Sequence, residues 1–376
     1  MLTINTADLT TGLAFIKRAT GYSASRARSR MPVLNTVRLS ARNGGLIVET
    51  FDFETAVTLR LPGAGTLAQT VVSIDDLHAA LKTIGRRQAN ITATTSALSI
   101  ESSGVSVHSP AFTALDDLPA MPDASGQLIV PPRPCLHMTG AEFAATTAAV
   151  SAAIGTDDTL PMLTGVRLDV DPAEASAVAA TDRFKLAVVD VKPADGFTDT
   201  VAALLPGRPV VSFGKFAAKS DTVTVTVAGQ WVVLASNTAK VQARLMDAEF
   251  PQYRHLLPGG DPAVEFTIDP QAWAKLLKPA SAATRSMRFH ISAGGVVAVS
   301  HPEVGVRLDM ETTDMRADEP LVIGLSPEYL AALLATAPRG VKATVAVRKP
   351  NRPIIVSWPG ARMLLMPVRI PGDDGK

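Results

Sequence analysis

Leu160-Pro-Met-Leu-Thr-Gly-Val-Arg-Leu168, followed after an acidic, Ala-rich turn by Ala179-Ala-Thr-Asp-Arg-Phe-Lys-Leu-Ala-Val-Val189, is the stretch whose reading decides the fold. Its first half has an earlier counterpart. Pro161-Met162-Leu163 and Val166-Arg167-Leu168 match Pro32-Val33-Leu34 and Val37-Arg38-Leu39 at the same offsets, about a third of the chain apart. Each copy then crosses an apolar run (Leu46-Ile47-Val48; Ala177-Val178-Ala179) and reaches an aspartate, Asp52 or Asp182. The two spacings differ by one residue, which a hairpin turn absorbs. A weaker third copy begins at Met287-Arg288-Phe289 and continues through Val296-Val297-Ala298-Val299 into Val304-Gly305-Val306-Arg307-Leu308. The segment ends also rhyme, Leu115 to Pro122 with Leu245 to Arg254. A period of this size indicates repeated domains.

Around that repeat, each third shows one order of elements. An amphipathic helix opens it (Asp8 to Thr20, Thr139 to Ile154, Pro270 to Ala283), with apolar residues at helical spacing such as Leu13, Phe15 and Ile16. Thr139 with Glu142 reads as a capping box. Asp269-Pro270 and Ser326-Pro327 read as an N-cap followed by Pro at the first helical position. Alternating strands follow, then a second helix (Ile74 to Arg86, Val211 to Lys219, Pro327 to Ala337). Closing strands are expected at Ile91–Thr94 and Ala97–Glu101, Val223–Val227 and Trp231–Leu234, and Ala343–Val347 and Ile354–Trp358. Pro- and Gly-rich segments, Ala120 to Pro134 and Leu257 to Pro262, separate the thirds. The fold class is α+β: three domains at 1–122, 127–258 and 262–376, each two helices packed on curved antiparallel sheet.

Composition suits three such cores: 376 residues, 47% hydrophobic and 19% charged. Cys135 is the single cysteine, so no disulfide framework forms within the chain and a reducing compartment is expected. The first residues lack a basic segment followed by an apolar run, and no apolar stretch reaches membrane length, so a cytoplasmic protein is expected. A net charge of +1 says little by itself. The distribution says more. Lys17-Arg18, Lys82 with Arg86-Arg87, Lys215 with Lys219, and Lys275 with Lys278 lie on or beside expected helices, and Arg26, Arg28 and Arg30 precede Pro32. Helices gathered on one side of curved sheet would present these cations together.

A search for catalytic chemistry finds little. The six histidines (78, 108, 137, 255, 290 and 301) never share ligand spacing on one element. There is no phosphate-binding Gly-x-x-x-x-Gly-Lys loop and no Gly-x-Ser-x-Gly elbow. Gly63-Ala-Gly65 and Gly294-Gly295 read as turns, and Cys135 has no activating neighbour in sequence. Asp182 is better suited to capping a turn than to acid–base work, since its echo Asp52 has no acidic counterpart in the third copy. No metal, cofactor or catalytic residue is expected.

Thr181-Asp182-Arg183-Phe184-Lys185-Leu186-Ala187 resembles the Thr-Asp-x-x-Arg-Leu-Ala motif of the bacterial DNA sliding clamps, the β subunits of the replicative polymerase. Leu160-Pro-Met-Leu-Thr-Gly stands at the matching place before it. Phe250-Pro-Gln-Tyr-Arg-His-Leu-Leu-Pro258 resembles the family's Phe-Pro-x-Tyr-x-x-Leu-Pro element, and Leu364-Leu-Met-Pro-Val-Arg-Ile370 its C-terminal motif. The style is similar to actinobacterial clamps. The resemblance implies a head-to-tail homodimer forming a six-domain ring around duplex DNA, helices inside and sheets outside. Such a ring acts as a non-enzymatic processivity factor for DNA replication. It also implies a groove that receives short peptides bearing a Gln and a hydrophobic pair, from the replicative polymerase, the clamp loader and repair proteins. By motif position the groove is Leu163, Thr181, Arg183, Phe184, Lys185, Leu186, Pro251, His255, Leu256, Met366, Pro367, Val368 and Arg369, with Pro353 at its rim. The DNA-facing set is Lys17, Arg18, Arg28, Arg86, Arg87, Lys215, Lys219, Lys275, Lys278 and His301. The dimer seam is expected to pair the Val105 to Leu115 strand with an edge strand near Met287–Ile291. Lys185 and His255 stand where relatives often carry Arg, and Phe184 where some carry a polar residue. Two other readings are a peptide-binding scaffold, or specialised clamp paralogue, that does not encircle DNA, and an α+β enzyme with an unrecognised carboxylate site.

Overall fold

The computed structural model describes residues 1–21, 32–42, 44–94, 96–111, 120–122, 133–257, 260–292, 294–301, 304–317 and 319–369. The repeat is visible as three antiparallel three-strand meanders. Thr36–Arg42, Gly45–Phe51 and Thr55–Gly65 form the first, Gly165–Val170, Ser176–Thr181 and Lys185–Val191 the second, and Met287–Ile291, Val296–Ser300 and Arg307–Glu311 the third. The Pro-x-Leu strings of the first two copies form short 3-10 turns, Pro32–Asn35 and Pro161–Leu163, directly ahead of their meanders.

By contact the chain groups into two compact units, Met1–Ala144 with Pro193–Met246, and Ala145–Lys192 with Asp247–Lys376. In the first unit, strands run in the order Val105–Pro110, Ala97–Ser102, Gln88–Ala93, Leu2–Asn5, Thr55–Gly65, Ala239–Arg244, Trp231–Ser236, Val223–Ala228 and Leu136–Met138. Hydrogen bonding passes from the first third into the middle third where Val57 pairs with Val241. The helices Thr6–Thr20 and Gly207–Phe216 pack together through stacked Phe15 and Phe216 rings, centroids 4.4 Å apart. Leu9, Leu13, Phe15 and Ile16 form the wholly buried stripe of the first helix.

The second unit has the order Gly165–Val170, Ser176–Thr181, Lys185–Val191, Ala361–Leu365, Ile354–Trp358, Ala343–Val347, Val264–Ile268, Thr313–Ala317. Here the middle third joins the last where Leu186 pairs with Leu364. A separate four-stranded sheet runs Arg307–Glu311, Val296–Ser300, Met287–Ile291, Leu321–Leu325. The helices Pro270–Ala283 and Pro327–Leu334 pack on each other. Trp273 is buried against Phe266 at 5.8 Å, and its indole N–H donates to the Glu311 carbonyl at 2.9 Å.

Cap chemistry explains the helix starts. Thr139 and Glu142 exchange hydrogen bonds (Thr139 N to Glu142 Oε2, 2.8 Å; Glu142 N to Thr139 Oγ1, 3.2 Å), as a capping box requires. Asp269 accepts from the amides of Gln271 and Ala272, and Ser326 from Tyr329. Several boundaries differ from the sequence expectation, among them three helix ends that come early, at Ser151, Ile84 and Leu334. The first helix starts at Thr6, two residues before the expected Asp8, because the Asn5 side chain caps it. The helix expected at Val211 starts at Gly207, and Pro209 falls in its first turn, where an amide has no helical partner to lose. That helix ends at Phe216, and Ala217–Lys219 tightens into a 3-10 turn.

Candidate functional site

Two consecutive strands of the second unit, Ser176–Thr181 and Lys185–Val191, turn through Asp182-Arg183-Phe184. Asp182 organises this turn. Its Oδ1 accepts from the amides of Phe184 (3.0 Å) and Lys185 (2.7 Å), and its own amide donates to the Lys185 carbonyl at 3.2 Å. Its Oδ2 pairs with the Lys185 ammonium. Asp52 makes the same turn in the first copy, accepting from Glu54 (3.0 Å) and Thr55 (2.6 Å), with its amide on the Thr55 carbonyl. Burial pushes the Asp52 carboxyl above its ordinary value, against the lowering effect of those turn amides. Both turns place the next residue in left-handed backbone, Phe53 at φ 72° and Arg183 at φ 79°. At the matching place in the third copy the closing bond spans two residues more: His301 donates its amide to the Val306 carbonyl at 3.1 Å and accepts from Val304 N at Nδ1, 3.3 Å. Asp182 is therefore a turn-capping residue, and the missing acid of the third copy is replaced by an imidazole.

Around the turn lies a mixed apolar and cationic surface. The Phe184 ring meets the Tyr329 ring at 6.0 Å, the Arg183 guanidinium lies 5.9 Å from the Phe184 centroid, and the Lys185 ammonium sits 4.0 Å above Tyr329. Lys185 is 8% exposed, which its ion pair and the aromatic face make tolerable. The Met366 amide donates to the Phe184 carbonyl at 2.9 Å and the Val368 amide to the Gly324 carbonyl at 2.9 Å, so the C-terminal motif lies against the turn. Pro353 precedes Ile354, which pairs with Leu365. The Phe250–Leu257 segment arrives through Tyr253, buried with Leu186, Val188 and Leu364 in one cluster that Phe250 and Leu257 flank. The Tyr253 hydroxyl donates to Asp169 Oδ2 at 2.9 Å; burial, then the Asp169 charge, pushes the phenol up to about 12.

Of the fourteen groove residues named from sequence, the exposed ones are Arg183, Phe184, Pro251, His255, Leu256, Met366 and Arg369, with Pro353, Pro367 and Val368 half-buried. Leu163 and Leu186 are core residues, 6% and 1% exposed, and Thr181 is spent on the Lys185 carbonyl. Tyr329 was missed. Its signal, a Tyr in the first turn of a helix, carries no hint of the distant turn it faces.

The DNA-facing set divides similarly. Arg18, Lys215 and Lys219 are exposed on or beside helices of the first unit, and Arg86 and Arg87 just beyond the Ile74–Ile84 helix. Lys17 is partly exposed and pairs with Asp75 at 2.9 Å. Arg208, absent from the sequence reading, joins them: its guanidinium approaches Gly21 so closely that a β-carbon there would lie 1.7 Å from Nη1. In the second unit Lys275 and Lys278 are exposed on the helix whose other face buries Trp273, Leu277 and Ala280. His301 is corrected: at 8% exposure and engaged in its turn, it is not offered to a phosphate. Arg28 lies outside the described residues. The seam expectation is also corrected, since Met287–Ile291 is an inner strand with partners on both sides. Among the described residues no helix is long and apolar enough to cross a membrane.

Comparison with known proteins agrees with this layout. Residues 137–252 match the family model described as DNA polymerase III beta subunit, central domain. The chain is 27% identical over 250 residues to the beta sliding clamp of Micrococcus luteus, spanning 65% of this chain and 77% of that protein. The fold superposes on the Bacillus subtilis DNA polymerase sliding clamp with a TM-score of 0.81 at 19% identity, covering 98% of both chains. It also superposes on the Helicobacter pylori beta clamp bound to a DNA ligase peptide with a TM-score of 0.80 at 14% identity, covering 98% of this chain and 100% of that one. Residues 137–252 of this chain thus match the central domain of the DNA polymerase III beta subunit, and the chain as a whole has the fold of the bacterial sliding clamps and is similar to them in sequence.

Proposed function

We propose that two copies of this chain close head to tail around duplex DNA and tether the replicative polymerase and repair proteins to it, without a catalytic site of their own. The observation that carries this reading is the clamp fold over 98% of the chain, combined with lysines and arginines exposed on its helices. Such cations meet phosphates and no base edges, which gives affinity without sequence preference and lets the ring slide. Topology holds the ring on DNA, and tethering raises the local concentration of whatever binds it.

Partners reach the ring through short peptides with a Gln and a hydrophobic pair, in the groove at Phe184, Leu256 and Met366. The relative bound to a DNA ligase peptide supports this reading. For the seam, the Arg307–Glu311 edge of the four-stranded sheet is the better candidate, because the opposite edge strand already takes the Val368 amide. Beside Arg307–Glu311 a cleft of about 440 Å³ is lined by Trp273, Leu276, Asp309 and Glu311. Val105–Pro110, the end strand of the first unit's sheet, supplies the matching edge from the second copy. The deciding experiment loads the protein onto circular DNA with a clamp loader and ATP, then linearises the DNA. Retention before and loss after linearisation is expected. A protein that binds peptides yet never becomes linked to the circle is the scaffold, not the ring.

A further inference from the structure

We propose that the Asp52-Phe53-Glu54 turn carries a second docking surface, separate from the groove, whose occupant is a protein segment presenting an Arg or Lys beside an apolar side chain. The backbone frame of this turn repeats that of the groove turn. In both, the carbonyl two residues after the aspartate accepts the amide of a residue leaving a strand of the next third: Glu54 from Arg244 at 2.8 Å, Phe184 from Met366 at 2.9 Å. In both, the following residue pairs with that strand, Thr55 with Ala243 and Lys185 with Leu365. Trp231 then holds the place of Pro353. Each stands directly before a strand residue, Val232 or Ile354, that pairs with Ala243 or Leu365. Phe51, Phe53, Glu54, Trp231 and Arg244 all belong to the first unit.

The side chains on this frame are different. Phe51, Phe53 and Trp231 make one aromatic surface, with centroids 5.7 Å apart for Phe51–Phe53 and 6.1 Å for Phe51–Trp231. Phe53 is 52% exposed and the other two are half-buried. The charge is reversed as well. In the groove turn Lys185 neutralises Asp182 and lies over the Tyr329 ring. Thr55 stands in that place here, and among the described residues neither Asp52 nor the exposed Glu54 makes an ion pair. Burial raises the Asp52 carboxyl and the Glu54 charge adds to the rise, so the two acids gain from a cation that arrives from outside. Arg244, across the strand pair from Trp231, is already engaged: its Nη2 donates to Gln230 Oε1 at 3.0 Å. Arene faces attract a guanidinium or ammonium, and a carboxylate at their edge fixes it by a charge-assisted hydrogen bond. An apolar neighbour of that cation covers Phe53. The partner thus supplies here what Lys185 supplies in the second copy.

The test uses the full-length protein labelled with fluorotryptophan. Its three tryptophans, Trp231, Trp273 and Trp358, give separate fluorine resonances, assigned with Trp231→Phe. The probes are the capped peptides Gly-Leu-Arg-Leu-Gly and Gly-Leu-Gln-Leu-Gly. The Arg peptide should shift the Trp231 resonance saturably, while the buried Trp273 and Trp358 stay put. The Gln peptide should bind about fivefold more weakly, the scale of one exposed ion pair with a ring contact, and the difference should shrink near about 0.5 M salt. Glu54→Gln, which keeps the backbone carbonyl, should lose the Arg preference. Thr55→Lys, which installs the internal cation of the second copy, should lose Arg binding; if that buried lysine prevents folding, Glu54→Gln still decides. A Trp231 resonance indifferent to the Arg peptide, equal binding of the two peptides, or a preference surviving in Glu54→Gln overturns the proposal. A shift that follows protein concentration without peptide gives the face to a second copy and overturns it too. All of these outcomes leave the groove reading standing, because Trp231 is not among the groove residues.

Discussion

At Asp182 one carboxylate shapes a turn with one oxygen and neutralises Lys185 with the other. The sequence motif disclosed this role, because a short acceptor followed by amides two and three residues on is a local arrangement. It did not disclose Tyr329, which reaches the turn through tertiary packing alone. Nor did it separate wall from core: Leu163 and Leu186 carry the family pattern yet are buried, whereas Phe184 and Met366 are exposed at 47% and 37%. Lysine at Phe184 or Met366 should therefore weaken peptide binding by about 30-fold or more, as for interface anchors, with an unchanged circular dichroism spectrum. Leu186→Lys should instead unfold the second unit. Arg183→Gly should raise stability by about 0.5–1 kcal/mol in thermal unfolding, the left-handed penalty less glycine's entropy. Tyr253 carries a pH signature. Its phenol is raised from 10.0 to about 12, so its contribution is complete below pH 10 and is lost as pH climbs toward 12. The loss is on the order of 2–3 kcal/mol. Tyr253→Phe should remove the late step from an alkaline titration of tyrosine absorbance.

Among elements, the caps were readable and the continuations were not. Asp269, Ser326 and Thr139 cap as their neighbours in sequence suggest. Asp269→Ala should cost about 1 kcal/mol, seen as a lower denaturant midpoint. Gly140 has a stricter requirement, since a β-carbon would lie 2.1 Å from the Ala217 carbonyl oxygen and 2.6 Å from that of Ser220. Both neighbours are backbone and cannot move aside cheaply, so Gly140→Ala should destabilise the first unit more than Asp269→Ala does the second. The pairings of Val57 with Val241 and of Leu186 with Leu364 had no sequence signal. Any alternating apolar strand could have filled those places, and register is settled by which face must be buried. This is why repeats in sequence and contact groups in space divide the middle third differently.

For the molecule as a whole, the seam is the main expectation the structure revised. Periodicity marked Met287–Ile291 as a strand, but only its two neighbours reveal that it has no free edge. With Arg307–Glu311 in that role, light scattering should give twice the 39.4 kDa chain mass. Val107→Asp should lower it toward one chain while peptide binding persists. A dimer untouched by changes at Val107 and Met310 would place the seam elsewhere. Cys135 bears on how such closure can be watched. It is the single thiol, buried at 1% exposure with Sγ on the Val225 carbonyl, and burial lifts it to about 11. Thiolate is the reactive form, so this sulfur is silent toward maleimides and mild oxidants at neutral pH. The wild-type chain is thus already a blank background for labelling. One cysteine added at Val107 and one at Asp309 would be its only responsive thiols, and a covalent bond between copies would trap the ring shut.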